Sequence, residues 1–516
     1  MPRSPIRLIA ILLTGALVLC SASTWPQEQR TSRPSSLATA RAQISHSQLD
    51  DAEKTIWTVL SSDPNQPEAL ALLGIVRGRQ KRYAEAEALF RRVLQLDPKS
   101  LVAHRNLAEA LIAQDKTDPA LEEYTEVVKL SPHDYSAKVE LARLHLGRGE
   151  FAEALSNLES IPKDHFPPDA IPAQAAALLG LGRREQAVPL IPRVKQSPSL
   201  AADLAEVFLN GNAPQYAIQA IDEAIAGSPH PPARLYYLKG RALQATGNSP
   251  AALSSLQQAL ARDPKSVDAL LALAALEASR KNDAKSVDLL KRAYALQPDS
   301  PAVLRPLVVE GIKAGQRKTA LGAAHVLANK SQNLDDLYVA AAAMIEGQDF
   351  ETAASIFEKY VSQRSNDSKG FLGLGIAQLG QQHYEEGKKA LERSLQIEPN
   401  QADAEYQLGV LADRKGDAAE ALQHFERAVE LQPQHAKALA SLGEQYLQAG
   451  ELAKADTALE RSVSINPNDA KGQYNLALVL SKLGKSEEAK KHMERSRALT
   501  AEDEQKASGS SSQPKP

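Results

Sequence analysis

The sequence predicts an all-α protein, a stack of about fourteen helical hairpins, and two observations support that prediction. First, Pro64, Pro98 and Pro132 each follow an apolar helical stretch and lie 34 residues apart. Steps of 34 or 35 residues return downstream within two groups of prolines, first Pro229, Pro264 and Pro298, and then Pro399, Pro433 and Pro467. Second, small and large apolar residues keep their places relative to those prolines. Such a period is typical of supersecondary units that bury their apolar faces only against one another.

Each unit is predicted to contain two antiparallel helices. Between residues 67 and 100, Leu73 and Gly74 fall in a first helix, and Ala86 and Phe90 fall in a second helix before Pro98. The stretch 401–434 repeats this arrangement with Leu408, Gly409, Ala421, Phe425, Ala428 and Pro433. Small residues let the two helices approach closely, and the phenylalanines fill the space beside them. The proline cannot continue a helix and therefore separates one unit from the next.

On these residues the chain resembles the tetratricopeptide repeat family, over roughly residues 33–501. The family pattern is a helix-turn-helix with Leu-Gly early, Ala and then Phe in the second helix, and Pro at the end. The resemblance implies a right-handed superhelix whose first helices line a concave side. It also implies that side chains on that side hold extended peptides or partner helices.

The first residues predict an export signal. Arg3 and Arg7 precede an apolar run from Leu8 to Leu19, and small residues follow it. The run is shorter than the roughly 20 apolar residues that a membrane-spanning helix needs. We therefore expect a signal peptide over residues 1–22, a linker over 23–32, and a mature protein in the periplasm or cell envelope.

Cys20 is the only cysteine of the chain and stands where the apolar run ends. The segment from Leu17 to Cys20 resembles a bacterial lipoprotein cleavage box, although Leu19 stands where that family has Gly, Ala or Ser. Two interpretations remain open, an ordinary cleaved signal and a lipid anchor at Cys20. In both, the mature chain forms no internal disulfide, and packing must stabilise it.

Two stretches of the predicted array are weak repeats. Prolines crowd the segment 161–198, where Pro189 and Pro192 should kink or shorten a second helix. The segment 301–333 has Pro306 inside a first helix and no closing proline. Both stretches fit sequence drift in a tolerant scaffold, and a hinge is the alternative.

Composition favours a helical array with a core of Ala and Leu, because 43% of the 516 residues are hydrophobic and only 4% are aromatic. The 63 acidic and 60 basic residues give a net charge of −3, which offers no electrostatic reason to expect nucleic acid as a partner. The segment 502–516 lacks apolar periodicity and is predicted to be a disordered tail.

No catalytic residue, cofactor site or metal site is predicted, and we expect no small-molecule substrate and no enzyme activity. Gly375 lies where Gly74 and Gly409 lie in their units, so the glycine-rich stretch around it is interpreted as helix packing. Gly484 to Ser486 is interpreted as a turn, since Val479 stands where a phosphate loop needs glycine. His104 is assigned to helix packing. Solvated positions on second helices are assigned to His424, His492, Glu122, Glu123, Glu385, Glu386, Glu487 and Glu488.

Polar and aromatic residues on the last first helices form the predicted binding surface. These residues are Tyr406, Gln407, Arg414, Lys437, Lys471, Tyr474 and Asn475. Tyrosines supply contact area and amides pair with a peptide backbone, so the set suits peptide or partner binding. The alternative is that they are ordinary exposed helix residues.

Two known family variants do not fit the sequence. Lys471 and Asn475 match the opening element of the clamp that holds chaperone tails, but they lie in the last unit, so the clamp is incomplete. An asparagine ladder of the glycosyltransferase type is absent too, since only Asn106 and Asn475 hold its position.

The sequence therefore predicts a non-catalytic, exported scaffold that binds protein or peptide partners in an envelope or polysaccharide-export assembly. The alternative function is a soluble periplasmic carrier or chaperone for extended polypeptides. The first predicts a few stoichiometric partners, and the second predicts weak binding to many unrelated peptides.

Overall fold

A computed structural model describes residues 36–509 of the chain. Within that range it contains 28 α-helices and no β-strand. The all-α prediction of about fourteen hairpins is therefore confirmed, because consecutive helices pair into antiparallel hairpins along the chain. The predicted signal peptide, Cys20 and the predicted linker lie outside the described residues.

The helices group into two compact units, one ending at Leu276 and the other beginning at Glu277. Odd-numbered helices are the first helices of hairpins and even-numbered helices are the second. The first unit contains α1 Ser36–Ser45, α2 Leu49–Ser62, α3 Pro67–Arg79, α4 Tyr83–Leu96, α5 Leu101–Ile112, α6 Thr117–Leu130, α7 Tyr135–Arg148, α8 Phe151–Glu159, α9 Ile171–Gly180, α10 Arg184–Ala187, α11 Pro198–Asn210, α12 Pro214–Ala226, α13 Ala233–Ala245 and α14 Ser249–Arg262.

Helix α15, Val267–Ser279, spans the boundary between the units. The second unit continues with α16 Asp283–Leu296, α17 Pro301–Lys313, α18 Arg317–Lys330, α19 Leu334–Glu346, α20 Phe350–Gln363, α21 Ser368–Gly380, α22 Tyr384–Ile397, α23 Ala402–Lys415, α24 Ala418–Leu431, α25 Ala436–Gln448, α26 Leu452–Ile465, α27 Ala470–Lys482 and α28 Ser486–Gly509. The expected end of the array at residue 501 lies inside α28.

Close approach of the two helices in a hairpin depends on the predicted small residues. A Cβ atom added to Gly74 would lie 2.7 Å from Cε1 of Phe90, and one added to Gly409 would lie 2.6 Å from Cε1 of Phe425. Gly375 faces Leu391 in the same way, at 2.7 Å from its Cγ. The glycines are therefore required for packing, and the interpretation of the glycine-rich stretch around Gly375 as a packing element is confirmed.

The turn inside each hairpin has one residue in the left-handed backbone region. In α3–α4 this residue is Lys81, with φ of 60°, and in α23–α24 it is Gly416, with φ of 80°. The backbone N–H of the residue after it donates a hydrogen bond to the carbonyl five residues earlier. Arg82 N, for example, lies 2.8 Å from Arg77 O, and this bond closes the first helix with a Schellman-type cap. Gly484 occupies this place in the last hairpin, so the predicted turn at that glycine is confirmed.

The core of the first unit continues through the proline-crowded segment. After α8 the chain forms two short 3-10 turns, Lys163–His165 and Pro168–Ala170. Helix α10 has only four residues and passes directly into a 3-10 helix, Val188–Val194, that contains Pro192. Leu190, Ile191 and Val194 are nevertheless buried in the same apolar cluster as residues of α7 to α13. Prolines thus alter the local helix type without interrupting the core.

In the second unit, α17 remains a continuous α-helix although Pro306 lies inside it. Buried apolar residues of α23 to α28 form one cluster around Phe425, Leu442, Leu459 and Leu476. A smaller cluster joins Leu379 of α21, Leu391 of α22, and Leu408 and Leu411 of α23. This smaller cluster packs α23, which carries Tyr406, Gln407 and Arg414, against α21 and α22.

Candidate partner-binding surface

First helices of neighbouring hairpins lie side by side in the second unit, with α21 against α23 and α25 against α27. Six of the seven predicted binding residues are exposed or half-buried on these helices. They are Tyr406, Gln407 and Arg414 on α23, Lys437 on α25, and Lys471 and Tyr474 on α27. We call this set, together with the pocket described below, the first-helix surface.

Tyr406 belongs partly to the packing of its own hairpin. Its ring lies 5.9 Å from the ring of Phe425 and 5.1 Å from the ring of His435, measured between centroids. Burial raises the pKa of the Tyr406 hydroxyl above its usual range. The tyrosine is therefore held in place by aromatic contacts and presents only part of its ring.

The cations of the surface differ in how they are paired. Lys471 Nζ lies 2.7 Å from Glu444 Oε2 across the gap between α27 and α25. Arg414 and Lys437 are exposed and make no salt bridge or hydrogen bond with any residue in the range 36–509. These two side chains can therefore meet an anionic partner without first breaking an ion pair.

Asn475 does not project from α27 as the sequence analysis expected. Only 8% of the residue is exposed, and Asn106, which holds the same place in α5, is only 1% exposed. This helix position therefore faces into the stack, and spacing along one helix could not reveal that neighbouring helices cover it. Tyr474, one residue earlier, is 44% exposed and is the more open of the two tyrosines of the surface.

An apolar pocket lies between the C-terminal ends of α21 and α23. Its volume is about 140 Å³, and its walls are Phe350, Ile376, Leu379, Gly380, Gln407, Val410, Leu411 and Arg414. Phe350 packs against Gly380, where an added Cβ would lie 2.4 Å from the Phe350 ring. Sequence reasoning had selected only Gln407 and Arg414 here, because it looked for polar residues and did not ask which apolar residues stay partly open.

Within residues 36–509 no helix is long and apolar enough to cross a membrane. Over the same range no group of three or more His, Cys, Asp or Glu side chains is placed to bind a metal ion.

Three sequence profiles described as tetratricopeptide repeat match most of the helical array. The first matches residues 37–100, 237–301 and 372–436, the second 79–127, 113–179 and 414–473, and the third 458–491. The chain belongs to the tetratricopeptide repeat family. Membership accounts for the period of 34 residues and for the Leu-Gly, Ala and Phe positions.

Two curated relatives match short regions of the chain. The chain is 30% identical over 128 residues to the TPR repeat-containing thioredoxin TTL4 of Arabidopsis thaliana, which is 24% of this chain and 19% of that protein. It is 28% identical over 115 residues to the cell division cycle protein 27 homolog of Caenorhabditis elegans, covering 22% of this chain and 15% of the relative. The chain thus spans less than a fifth of the length of these relatives.

Solved structures with similar helical arrays include the Cut9–Hcn1 hetero-tetramer of APC/C and yeast Tom70. The first has 15% identity and a TM-score of 0.38, over 87% of this chain and 96% of that chain. The second has 15% identity and a TM-score of 0.34, over 85% of this chain and 99% of that chain.

Three tetratricopeptide repeats link their two helices by the same polar contact. His104 Nδ1 lies 2.6 Å from Glu123 Oε2, and His424 Nδ1 lies 2.7 Å from Glu405 Oε2. In the last repeat, His492 Nδ1 lies 2.6 Å from Gln473 Oε1. Every pair is 19 residues apart. The packing assignment of His104 is thus confirmed, whereas the solvated positions expected for His424, His492 and Glu123 were wrong, because these side chains bridge the two helices of a repeat.

Proposed function

We propose that the protein is a non-catalytic scaffold that holds partner proteins or peptides on its first-helix surface. One observation carries this proposal: two unpaired cations, an open tyrosine and an apolar pocket lie on the first helices of four successive hairpins. Tyrosine and arginine are among the residues that contribute most to binding energy in protein interfaces, and the contributing side chains usually fill well-packed pockets. Membership of a family of helical repeats supports interaction as the function in general terms.

Binding on this surface requires little rearrangement of the protein. Tyr406 is fixed by its aromatic contacts, and the pocket walls rest on the cluster around Leu391 and Leu408. An organised surface loses little conformational entropy on binding, so the ordering cost falls on the ligand. Several repeats can in addition engage one extended partner, which raises its effective local concentration.

We further propose that this scaffold is exported and acts in the periplasm or cell envelope, in an envelope or polysaccharide-export assembly. The support is the N-terminal pattern of Arg3, Arg7 and the apolar run to Leu19. The alternative function, a soluble carrier for extended polypeptides, uses the same surface with lower selectivity. With either function, lipidation at Cys20 would attach the protein to a membrane.

Purification of the native protein with its partners tests the proposal. We expect a few recurrent partners in fixed ratio with the wild type, and at least about tenfold weaker binding when Arg414, Lys437 and Tyr474 are all replaced by alanine. A matched triple variant, in which two cations and one large apolar side chain at exposed second-helix positions are replaced by alanine (Arg393, Arg427 and Ile465), should retain them. Retention of the partners by the first variant would contradict the scaffold assignment, whereas many unrelated polypeptides in place of a few would favour the carrier.

Analysis of the same preparation tests export. A mature chain that begins near residue 23, or at a lipidated Cys20, supports export. A cytosolic chain that retains Met1 would overturn it.

A further inference from the structure

The pocket between α21 and α23 is the right size for one side chain. Its volume of about 140 Å³ is well below the range of roughly 300 to 1,000 Å³ that holds a small-molecule ligand. Phe350, Ile376 and Val410 are only half-buried, and Leu379 and Leu411 close the pocket from the core side. An apolar side chain placed here would cover the apolar surface that these three residues leave open, which is favourable at about 25 cal/mol per Å² of buried area.

Arg414 is the one charged residue in the wall of the pocket. Arg414 and Gln407 are the polar residues of its wall, and none of the wall residues is acidic. Two other cations close to Arg414 in sequence already have carboxylate partners. Lys415 Nζ, on the next residue, lies 2.8 Å from Glu385 Oε1, and Lys388 Nζ lies 3.2 Å from Glu420 Oε1. Arg414 makes no such contact with any residue that the structure describes.

The guanidinium and the apolar walls belong to one pocket, so a ligand must satisfy both within a short length of chain. A guanidinium prefers a carboxylate, which it can bind through two parallel N–H···O hydrogen bonds. The amide of Gln407 can pair with a backbone peptide group of the same ligand. The complementary group is therefore an apolar side chain with a carboxylate on a neighbouring residue.

We propose that this pocket is a specificity site for a partner segment in which an apolar residue and an acidic residue are neighbours. The apolar side chain enters between Ile376 and Val410, and the carboxylate accepts hydrogen bonds from Arg414. This inference rests on the proposed scaffold function and adds to it the chemical class of the partner segment.

Binding of short capped peptides to the full-length protein tests the proposal. Four pools, degenerate except at two adjacent positions, carry Leu and Glu, Leu and Lys, Leu and Gln, or Ser and Glu at those positions. Fluorescence polarisation should show that the Leu and Glu pool binds about tenfold more tightly than the other three, since each of the others lacks either the carboxylate or the apolar side chain.

Variants of the pocket separate its charge from its apolar part. Arg414→Gln should abolish the preference for Glu, and Arg414→Glu should reverse it in favour of the Leu and Lys pool. Val410→Asp should remove the preference for Leu over Ser. The matched control Lys415→Gln, which removes the neighbouring cation outside the pocket, should leave all preferences unchanged.

Equal binding of the four pools, or a preference for Glu that survives Arg414→Glu, would overturn the specificity site. The scaffold function is judged separately. If the pools bind equally while the triple alanine variant still loses the native partners, the pocket assignment fails and the scaffold stands. If the pools behave as expected but no partner co-purifies with the native protein, the scaffold function fails and the pocket assignment stands.

Discussion

Glu109 on α5 is a half-buried residue whose ionisation opposes folding. Burial raises its pKa to about 7, Arg105 opposes that shift, and Glu140 on α7 adds to it. Its Oε2 atom is buried and has no hydrogen-bond partner within the described part of the chain. Between about pH 4.5 and 7 the unfolded chain loses this proton while the folded chain keeps it, so rising pH favours unfolding. Above about pH 7 the cost is constant.

We predict that Glu109→Gln increases the free energy of unfolding by about 1–2 kcal/mol near pH 8 and has no such effect near pH 4. Urea unfolding of wild type and variant at the two pH values measures the difference. The control is Glu122→Gln, since Glu122 is exposed on α6. An equal gain at both pH values would show that the carboxyl of Glu109 is not the cause.

Gly409 and Gly322 give opposite expectations for the same change to alanine. A Cβ atom on Gly409 would lie 2.6 Å from the Phe425 ring, whereas one on Gly322 of α18 would meet nothing within 4 Å. Gly409→Ala should therefore destabilise the protein by about 1–3 kcal/mol through overpacking. Gly322→Ala should stabilise it by about 0.5–1 kcal/mol through helix propensity. Thermal unfolding midpoints that shift in the same direction would contradict this assignment.

The sequence predicts correctly the residues that have the same environment in several repeats. It does not predict residues whose burial depends on contacts with a neighbouring helix. The roles of Gly74, Gly375 and Gly409 follow from one period, so each copy supports the others. The contact that half-buries His424 is made with Glu405 of the facing helix. The burial of Asn475 likewise follows from its neighbours and leaves no mark in the local pattern.

Among the elements, each hairpin turn requires one residue in the left-handed backbone conformation, and only some of the turns have glycine there. Gln348, between α19 and α20, has φ of 65°, and no glycine relieves the left-handed conformation there. That conformation costs an L-residue about 1–2 kcal/mol. The sequence could predict the turn at Gly416 and Gly484 from glycine, but a lysine or glutamine at the same place carries no such mark.

We predict that Gln348→Gly stabilises the protein by about 0.5–1 kcal/mol, because glycine enters the left-handed region without strain. The matched control is Glu346→Gly, two residues earlier at the exposed end of α19, which should destabilise by a similar amount. Chemical denaturation of both variants measures the two effects. Destabilisation by both changes would argue against a left-handed residue 348.

The structure of the proline-rich segment could be predicted only in part. Pro189 and Pro192 indicated a shortened second helix, and α10 ends at Ala187. The sequence did not indicate that Leu190, Ile191 and Val194 would stay buried in the 3-10 helix that follows. Burial there depends on the helices before and after the segment, which local periodicity does not describe.

For the whole molecule, repeats that contact only their neighbours should respond locally to a defect. Gly409→Ala is expected to accelerate amide hydrogen exchange in α23, α24 and the adjoining helices, and to leave α3 to α6 unchanged. Gly74→Ala should produce the converse pattern in the first unit. Equal acceleration throughout the chain in either variant would show that the array unfolds as a single cooperative body.

The most direct test of the central claim, that partners bind the first-helix surface, is site-specific photo-crosslinking in the source cells. The crosslinking residue is placed at Lys437 on α25 in one variant and at Arg427 on α24 in the other, both exposed positions. We expect that recurrent partners crosslink from position 437 and not from position 427. Crosslinking of the same partners only from position 427, or equally from both, would contradict it.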